Sequence, residues 1–185
     1  MKLNLGCGSK ILKDYINIDK FDFYKPNIIH DLEVFPYPFE DNSVDEILMS
    51  HVLEHIGQIP DTFNCIIKEL YRICKNETII NIKVPHARHD DFLADPTHVR
   101  PITILGLSLY DQELNKIWEK NNAANTPLGF IHKVNFKIVS VKYVPDEKYR
   151  KLLVDKVINE KDLKDYSEKY NNVIKEIFIK WKVVK

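Results

Sequence analysis

A segment rich in histidine and aspartate, residues 86–100, offers the most chemistry in this sequence. An imidazole titrates near neutral pH and can take a proton from a hydroxyl group, and a carboxylate can orient that imidazole. Pro85 and Pro96 restrict the backbone of this segment. Its chemically active side chains are His86, His89, Asp90, Asp91, Asp95, His98 and Arg100. Three interpretations remain open: a polar loop bonded to itself, an acceptor-binding loop that holds a general base, or a divalent-cation site that lowers the pKa of an acceptor hydroxyl.

A Gly-x-Gly turn lies near the start of the chain, at Gly6 and Gly8. The chain has only five glycines, so two in one turn indicate a sharp bend with little room for side chains. Leu3 and Leu5 alternate with polar residues, which predicts a strand that runs into the turn. Such a strand and turn can bring a nucleotide close to the backbone at the carboxyl edge of a parallel sheet. Cys7, between the glycines, is interpreted as a small apolar filler and not as a reactive thiol.

Asp19 ends the next predicted strand, which covers residues 15–19. A carboxylate at that point can accept hydrogen bonds from both hydroxyls of a ribose. In a standard dinucleotide-binding unit, a helix and about twenty residues separate the glycines from this acid. The separation here is much shorter, which predicts that the first crossover helix is shortened or replaced by a loop. The short separation also disfavours a nicotinamide cofactor.

Three ionisable residues, His51, Glu54 and His55, follow a predicted strand over residues 44–50. On one helical turn the two histidines would share a face, an arrangement that can bind a metal ion. The sequence completes no zinc-binding pattern, so the metal interpretation is not favoured. A histidine here is expected to line a pocket or to cap the end of the strand.

The spacing of apolar residues predicts the elements that position these groups. Strands are predicted over residues 2–5, 15–19, 27–31, 44–50, 77–84, 136–143 and 177–183. Helices are predicted over residues 59–74 and 105–118, and helix-like spacing extends over 149–170. The strand at 77–84 is apolar on both faces and is expected at the centre of the sheet. The fold class is therefore α/β, with a mostly parallel sheet that finishes with an antiparallel strand.

Length and composition limit the classes of protein. A chain of 185 residues with 44% apolar and 29% charged residues fits one soluble domain, 1–185. A formal net charge of zero gives no reason to expect nucleic acid as a partner. Three cysteines without metal-ligand spacing favour a reducing compartment. Neither a signal peptide nor a membrane-spanning run is evident, so a cytoplasmic location without membrane insertion is expected. The oligomeric state stays open.

Five segments, taken in this order, resemble the class I S-adenosylmethionine-dependent methyltransferases. They are LNLGCGS, DYINID, HDLEVFPYPFEDNSVDEILMSHVLEHI, NIKVPH and DPTHVRP, and together they cover roughly residues 1–100. The resemblance is to the small, type-11-like members found among sugar- and polysaccharide-modifying enzymes. It implies a Rossmann-like sandwich, with a cofactor-binding half at 1–100 and acceptor-side helices and closing strands at 101–185.

The resemblance also implies a set of residues that bind S-adenosylmethionine. They are Asn4, Leu5, Gly6, Cys7, Gly8, Asp19, Lys20, Asp31, Leu32 and His51. Asp19 is the implied ribose acid, and Asp31-Leu32 is the implied adenine-contacting pair. Two departures predict a variant pocket: Asn4 stands where the family has an acid, and Ser9-Lys10 replaces the usual third glycine.

The resulting hypothesis is transfer of a methyl group from S-adenosylmethionine to a small acceptor, with a sugar hydroxyl of a glycan or polysaccharide as the first choice. His98 or His86 is the expected base, Asp95 orients it, and Arg100 holds an acceptor oxygen or a structural acid. No metal ligand is assigned, and a divalent cation is allowed but not favoured. Alternatives are a catalytically silent S-adenosylmethionine-binding module, an N- or C-methyltransferase, and, disfavoured by the short separation above, a nicotinamide dehydrogenase.

Overall fold

A seven-stranded sheet forms the centre of the protein, and the computed structural model describes every residue, 1–185. Strands β1 to β7 span Lys2–Leu5, Ile16–Asp19, Ile28–Ile29, Val44–Ser50, Cys74–Pro85, Phe136–Pro145 and Ile174–Val183. Helices α1 to α7 span Pro60–Ile73, Asp90–Leu93, Ile104–Ser108, Gln112–Lys120, Leu128–Ile131, Glu147–Val154 and Glu160–Lys169. Two turns of 3-10 helix span Asp22–Tyr24 and Leu53–His55.

The order of the strands confirms the predicted fold class. It is β3-β2-β1-β4-β5-β7-β6, and the first five strands run parallel. The C-terminal strand β7 lies between β5 and β6 and is antiparallel to both. The carboxyl ends of the parallel strands meet at one edge, so the segments that follow β1, β2, β4 and β5 are brought together there. The predicted division into halves at residue 100 stays a prediction.

The connection between β1 and β2 contains no helix, as the short separation predicts. Two buried asparagines satisfy the polar groups of this loop instead. The Asn4 side chain donates to the Lys10 carbonyl (2.7 Å) and to the Asn17 side chain (2.9 Å). Asn17 in turn donates to the Leu12 carbonyl and accepts from the Leu12 N–H, each at 2.9 Å. The two amides therefore hold the loop in place of a crossover helix.

Helix α1 confirms the predicted amphipathic helix and packs on the sheet. It begins at Pro60, whose fixed φ suits the first helical position. Ile66, Ile67 and Leu70 are fully buried in the same apolar cluster as Ile47 of β4. Burial of each such side chain contributes about 1.5–3 kcal/mol. None of the helices is long and apolar enough to cross a membrane.

Two predicted helical segments are each divided in the structure. The predicted helix over 105–118 is α3 followed by α4, because the Asp111 side chain accepts hydrogen bonds from the first turn of α4. The helix-like segment over 149–170 is α6 followed by α7. Asn159 forms a capping box with Asp162 at the start of α7. Each break lies where a short polar side chain caps the start of a new helix. The spacing of apolar residues does not indicate such a cap.

The turn after β4 also differs from the sequence prediction. His51 has a left-handed backbone with φ of 57°, and only Leu53–His55 is helical. His51 and His55 therefore do not share a helical face. Strand β5 begins at Cys74, earlier than predicted, and one of its faces is only half-buried, so it is not apolar on both sides. The neighbouring strand β7 contributes the fully buried Trp181 to the core.

Candidate active site

A cavity of about 420 Å³ opens at the carboxyl ends of the parallel strands. Segments that follow β1, β2, β3 and β4 form most of its wall, and the loop after α2 adds one residue. The lining residues are Gly6, Asp19, Lys20, Phe21, His30, Asp31, Leu32, His51, Val52, His55, Ile56 and Thr97. Six of the residues implied by the resemblance lie here: Gly6, Asp19, Lys20, Asp31, Leu32 and His51. This cavity is the candidate cofactor site.

The glycine turn has the backbone that the sequence predicts. Gly6 has φ of 62° and Gly8 has φ of 48°, a region that residues with a Cβ rarely adopt. A Cβ at Gly6 would lie 2.6 Å from a methyl carbon of Val52, whereas a Cβ at Gly8 would meet no atom within 4 Å. The turn is therefore closed against the protein at Gly6 and open at Gly8, which leaves room for a ligand above the backbone.

Asp19 ties the end of β2 to the glycine turn. Its Oδ2 accepts from the Gly8 N–H at 2.8 Å, and its Oδ1 accepts from the Phe21 N–H at 3.0 Å. Each oxygen keeps a lone pair beyond these bonds. The carboxylate lines the cavity, so it can accept two further hydrogen bonds from a diol.

The opposite side of the cavity is less polar. Leu32 is largely buried, while the Asp31 carboxylate accepts from the Glu33 N–H at 2.9 Å. His30 also lines the cavity, and its Nε2 is buried without a hydrogen-bond partner. The exposed ring of Phe21 adds an aromatic face. Leu32 and Phe21 together offer an apolar and aromatic surface of the kind that a purine base packs on.

His51 lines the cavity and lies between two carboxylates. Its Nδ1 is 3.3 Å from Glu54 Oε1, and its Nε2 is 3.2 Å from Glu176 Oε1. Lys83 also contacts Glu176 at 2.9 Å. The His51 N–H donates to the Lys83 carbonyl at 2.8 Å, which places the left-handed residue directly beside β5.

Three of the implied cofactor residues lie behind the turn, not in the cavity wall. Asn4 is buried and holds the loop, and Leu5 is fully buried in the core. Cys7 is 4% exposed, and burial, with Asp19 as a second cause, raises the pKa of its thiol. Asn4, Leu5 and Cys7 therefore position the glycine turn, and Gly8 contacts Asp19 from the rim.

The histidine- and aspartate-rich segment does not form one cluster. His89 is 5% exposed, caps α2 through its Nδ1, and lies 3.3 Å from Asp146 through its Nε2. His86 accepts from the Arg88 N–H at 3.2 Å, and burial lowers its pKa. Asp91 pairs with Lys175 at 3.3 Å. None of these residues lines the cavity.

Arg100 faces away from the candidate cofactor site. Its Nε and Nη2 donate to the Gly57 carbonyl at 3.1 and 2.6 Å, and its guanidinium lies 4.4 Å from the centre of the Phe63 ring. It lines a separate cleft of about 240 Å³ with Phe63 and Tyr110. Its contacts are structural, while the expected grip on an acceptor oxygen stays a prediction.

His98 and Asp95 are the two predicted catalytic residues that lie beside the cavity. The His98 ring is 4.5 Å from the His55 ring, centre to centre, and its Nε2 is 3.9 Å from Asp95 Oδ2. Asp95 Oδ1 accepts from the Thr97 hydroxyl at 2.6 Å, and Thr97 Oγ1 is 2.9 Å from His55 Nδ1. The hydrogen bonds that Asp95 Oδ1 accepts from the Thr97 hydroxyl and from the Thr97 N–H, the latter at 2.8 Å, lower the pKa of the Asp95 carboxyl.

Several lining residues are not among the predicted site residues: Phe21, His30, Val52, His55, Ile56 and Thr97. Their positions depend on the left-handed His51 and on contacts between distant loops. The sequence gives one indication of these residues: each lies next to or near a residue that the resemblance implies as cofactor-binding.

Comparisons with known proteins agree with this fold. Residues 16–82 match a family model described as a methyltransferase domain. A structure of a SAM dependent methyltransferase from Archaeoglobus fulgidus is 23% identical, with a TM-score of 0.63 over 98% of this chain and 85% of that chain. A putative S-adenosylmethionine dependent methyltransferase from Listeria monocytogenes is 15% identical, with a TM-score of 0.54 over 100% and 91%. A search of curated proteins found no match.

A further similar structure carries ligands. It is a Burkholderia thailandensis N1-methyltransferase with bound 1,6-didemethyltoxoflavin and S-adenosylhomocysteine, 10% identical, with a TM-score of 0.51 over 100% of this chain and 71% of that chain. The family match extends from β2 into β5 and includes Asp19, Asp31 and His51. Residues 16–82 therefore resemble a methyltransferase domain, and the chain shares its fold with S-adenosylmethionine-dependent methyltransferases.

Proposed function

We propose that this protein transfers the methyl group of S-adenosylmethionine to a hydroxyl of a small acceptor, with a sugar hydroxyl of a glycan or polysaccharide as the acceptor class. One observation carries the cofactor part: Gly6 of the glycine turn, Asp19 and the Asp31-Leu32 pair line a single cavity. The acceptor class is supported by the resemblance to sugar-modifying enzymes and by the imidazoles beside that cavity.

Each part of the cavity has a role in holding the cofactor. The open space above Gly8 admits the amino acid portion, and Asp19 accepts hydrogen bonds from the ribose hydroxyls. Leu32 and Phe21 pack on the adenine. Asn4 cannot provide a charge for the ammonium group, and it supports the loop instead.

The acceptor side must orient a hydroxyl and take its proton. When bound, S-adenosylmethionine supplies a methyl group on a strongly electrophilic sulfonium. The chain's contribution is therefore to position the acceptor in line with that methyl group and to remove the hydroxyl proton. His55 lines the cavity, and His98 lies against it with its Nδ1 bonded to the Phe92 carbonyl at 2.8 Å. This imidazole pair is the proton acceptor in the proposal.

The direct test is calorimetry with S-adenosylmethionine, followed by detection of S-adenosylhomocysteine over a panel of sugars, simple alcohols and amines. Turnover on sugars and not on amines is expected, and Asp19→Asn should weaken binding. Turnover confined to amines would favour the N-methyltransferase alternative. Cofactor binding without turnover on any acceptor would support a silent binding module. Tighter binding of NAD than of S-adenosylmethionine would contradict the proposal as a whole.

A further inference from the structure

Glu54, His55 and His98 form a compact set of potential metal ligands beside the cofactor cavity. One donor atom from each residue lies within 4.8 Å of the donors of the other two. Glu54 and His55 belong to the 3-10 turn after β4, while His98 belongs to the loop after α2. The Glu54 carbonyl joins these segments, because it accepts from the N–H groups of Val99 at 2.8 Å and Arg100 at 3.2 Å.

The hydrogen bonds of His98 define which ring nitrogen is free. Its Nδ1 lies 2.8 Å from the Phe92 carbonyl oxygen. A carbonyl oxygen can only accept, so Nδ1 carries the proton and Nε2 keeps a lone pair. The nearest acid to Nε2 is Asp95 at 3.9 Å, too far for a hydrogen bond. The His98 side chain is 8% exposed, so its lone pair points into a nearly closed space.

His55 is held in the same tautomer through Thr97. The Thr97 hydroxyl donates its only proton to Asp95 Oδ1 at 2.6 Å. Its oxygen must therefore accept from His55 Nδ1, which lies 2.9 Å away. Nε2 of His55 is left with a free lone pair. An imidazole whose other nitrogen donates to a carbonyl, or to a hydroxyl backed by a carboxylate, is arranged as metal-binding histidines are.

The third group is the Glu54 carboxylate, which is buried and receives no hydrogen bond from the protein. It is 0% exposed, and neither carboxylate oxygen has a hydrogen-bond partner. His51 Nδ1 approaches Oε1 to 3.3 Å, but His51 also contacts Glu176, which already pairs with Lys83. A buried carboxylate with no donor is strongly unfavourable unless a cation approaches it.

We propose that Glu54, His55 and His98 bind a divalent transition-metal cation beside the cofactor cavity. Two imidazole nitrogens and one carboxylate suit Zn²⁺, Mn²⁺, Fe²⁺ or Co²⁺ better than Mg²⁺, which prefers oxygen ligands. Donors bonded to one ion at about 2.0–2.2 Å lie at most about 4.4 Å apart, so small side-chain rotations complete the set. Resting on the proposed function, the ion would take over the role of the imidazole pair: the ion would lower the pKa of the acceptor hydroxyl, and the proton would pass to solvent water because both Nε2 lone pairs are then metal-bound.

Cation binding is measured directly, without an acceptor. The full chain is stripped with chelator and titrated with Mn²⁺ and with Zn²⁺ by calorimetry. One equivalent is expected to bind, and at a hundred times the dissociation constant the melting temperature should rise by about 5–10 °C. Glu54→Gln and His98→Gln should each lose at least about a hundredfold in affinity, while His132→Ala, outside the cluster, should bind as the wild type does.

Two measurements keep the test independent of misfolding. Glu54→Gln removes a buried charge at constant shape, so its melting temperature without metal should equal or exceed that of the wild type. Thr97→Val removes the group that orients His55, and a loss of about 10–100-fold in cation affinity is expected. Equal affinity in the wild type, Glu54→Gln and His98→Gln would overturn the proposal.

The outcomes also separate this inference from the proposed function. No cation uptake together with chelator-resistant turnover would overturn the site and leave the imidazoles as the proton acceptor. One-to-one uptake that depends on Glu54 would support the site even if no methyl transfer is found. Chelator-sensitive turnover, restored by Mn²⁺ or Zn²⁺, would support both the site and its role in activating the acceptor.

Discussion

The backbone N–H of Gly8 donates a 2.8 Å hydrogen bond to Oδ2 of Asp19. This bond joins the turn after β1 to the end of β2, the neighbouring strand. A crossover helix normally separates these two points, and here the loop held by Asn4 and Asn17 replaces it. The carboxylate consequently has two functions, because it fixes the turn and it faces the cavity.

Asp19→Ala is expected to weaken binding of S-adenosylhomocysteine at least tenfold. Hydrogen bonds from ribose hydroxyls to a carboxylate contribute about 1.5–3 kcal/mol each, which exceeds the value needed for that factor. Calorimetry measures the dissociation constant. Asp22→Ala, on the exposed turn that follows β2, is the matched control and should bind normally. An unchanged constant for Asp19→Ala would remove the carboxylate from the site.

The two glycines should respond differently to the same substitution. At Gly6 a methyl group would meet Val52 at 2.6 Å, so Gly6→Ala is expected to lower the melting temperature by several degrees. At Gly8 the methyl group meets no atom, so Gly8→Ala adds only about 1–2 kcal/mol of backbone strain. It should nevertheless weaken cofactor binding, because the methyl group enters the space above the turn.

Thermal melts and calorimetry on both glycine variants check this difference. A Gly8→Ala protein that binds the cofactor as tightly as the wild type would show that the ligand does not approach the turn. A Gly6→Ala protein with unchanged melting would contradict the close approach of Val52.

The sheet could be predicted because its strands carry their own signal. Val44–Ser50 has the predicted bounds, and α1 differs from its prediction by one residue at each end. The alternation of apolar residues in strands and their helical spacing in α1 both reflect burial of one face. The hydrophobic effect therefore determines where these elements lie in the sequence. The absence of a crossover helix could be predicted as well, because too few residues separate the glycine turn from Asp19 to form one.

The caps and the site contacts could not be predicted in this way. Asp111 begins a new helix inside an apolar pattern that continues past it. His89 is interpreted from sequence as part of a reactive cluster, but it pairs with Asp146, which is distant in the chain. Asp146 lies between β6 and α6, so this pairing depends on where those two elements lie relative to the segment after β5, which no local sequence pattern indicates.

Glu69 is expected to stabilise the protein in a pH-dependent manner. Its carboxylate accepts from Arg72 Nε and Nη2 and from the Tyr37 N–H, and the Arg72 hydrogen bonds are the main cause of its lowered pKa. Because the folded pKa is below the unfolded value, the stabilisation is present above about pH 4.5 and is lost as the pH falls through the folded pKa.

Glu69→Gln should therefore reduce the free energy of unfolding at pH 7 by about 1.5–3 kcal/mol, and should reduce it less at pH 3.5. Urea unfolding at both pH values measures the difference. Glu113→Gln, which breaks an exposed pair with Lys137, is the control and should change stability little at either pH. Equal losses from Glu69→Gln at pH 7 and pH 3.5 would contradict the assigned ion pair.

His98→Ala is expected to lower turnover by about 10²–10⁴-fold, the usual contribution of a general base, and to leave the affinity for S-adenosylmethionine unchanged. His98 lies against the cavity through His55, and in the protein without a bound cation its Nε2 lone pair is free to take the proton. His86→Ala should cause a smaller loss, because His86 does not line the cavity and its Nδ1 already accepts from the Arg88 N–H.

Steady-state kinetics with a saturating acceptor measures turnover, calorimetry measures affinity, and His132→Ala serves as the control. Full turnover in both His98→Ala and His86→Ala would transfer the search for the base to His51, which lies between Glu54 and Glu176.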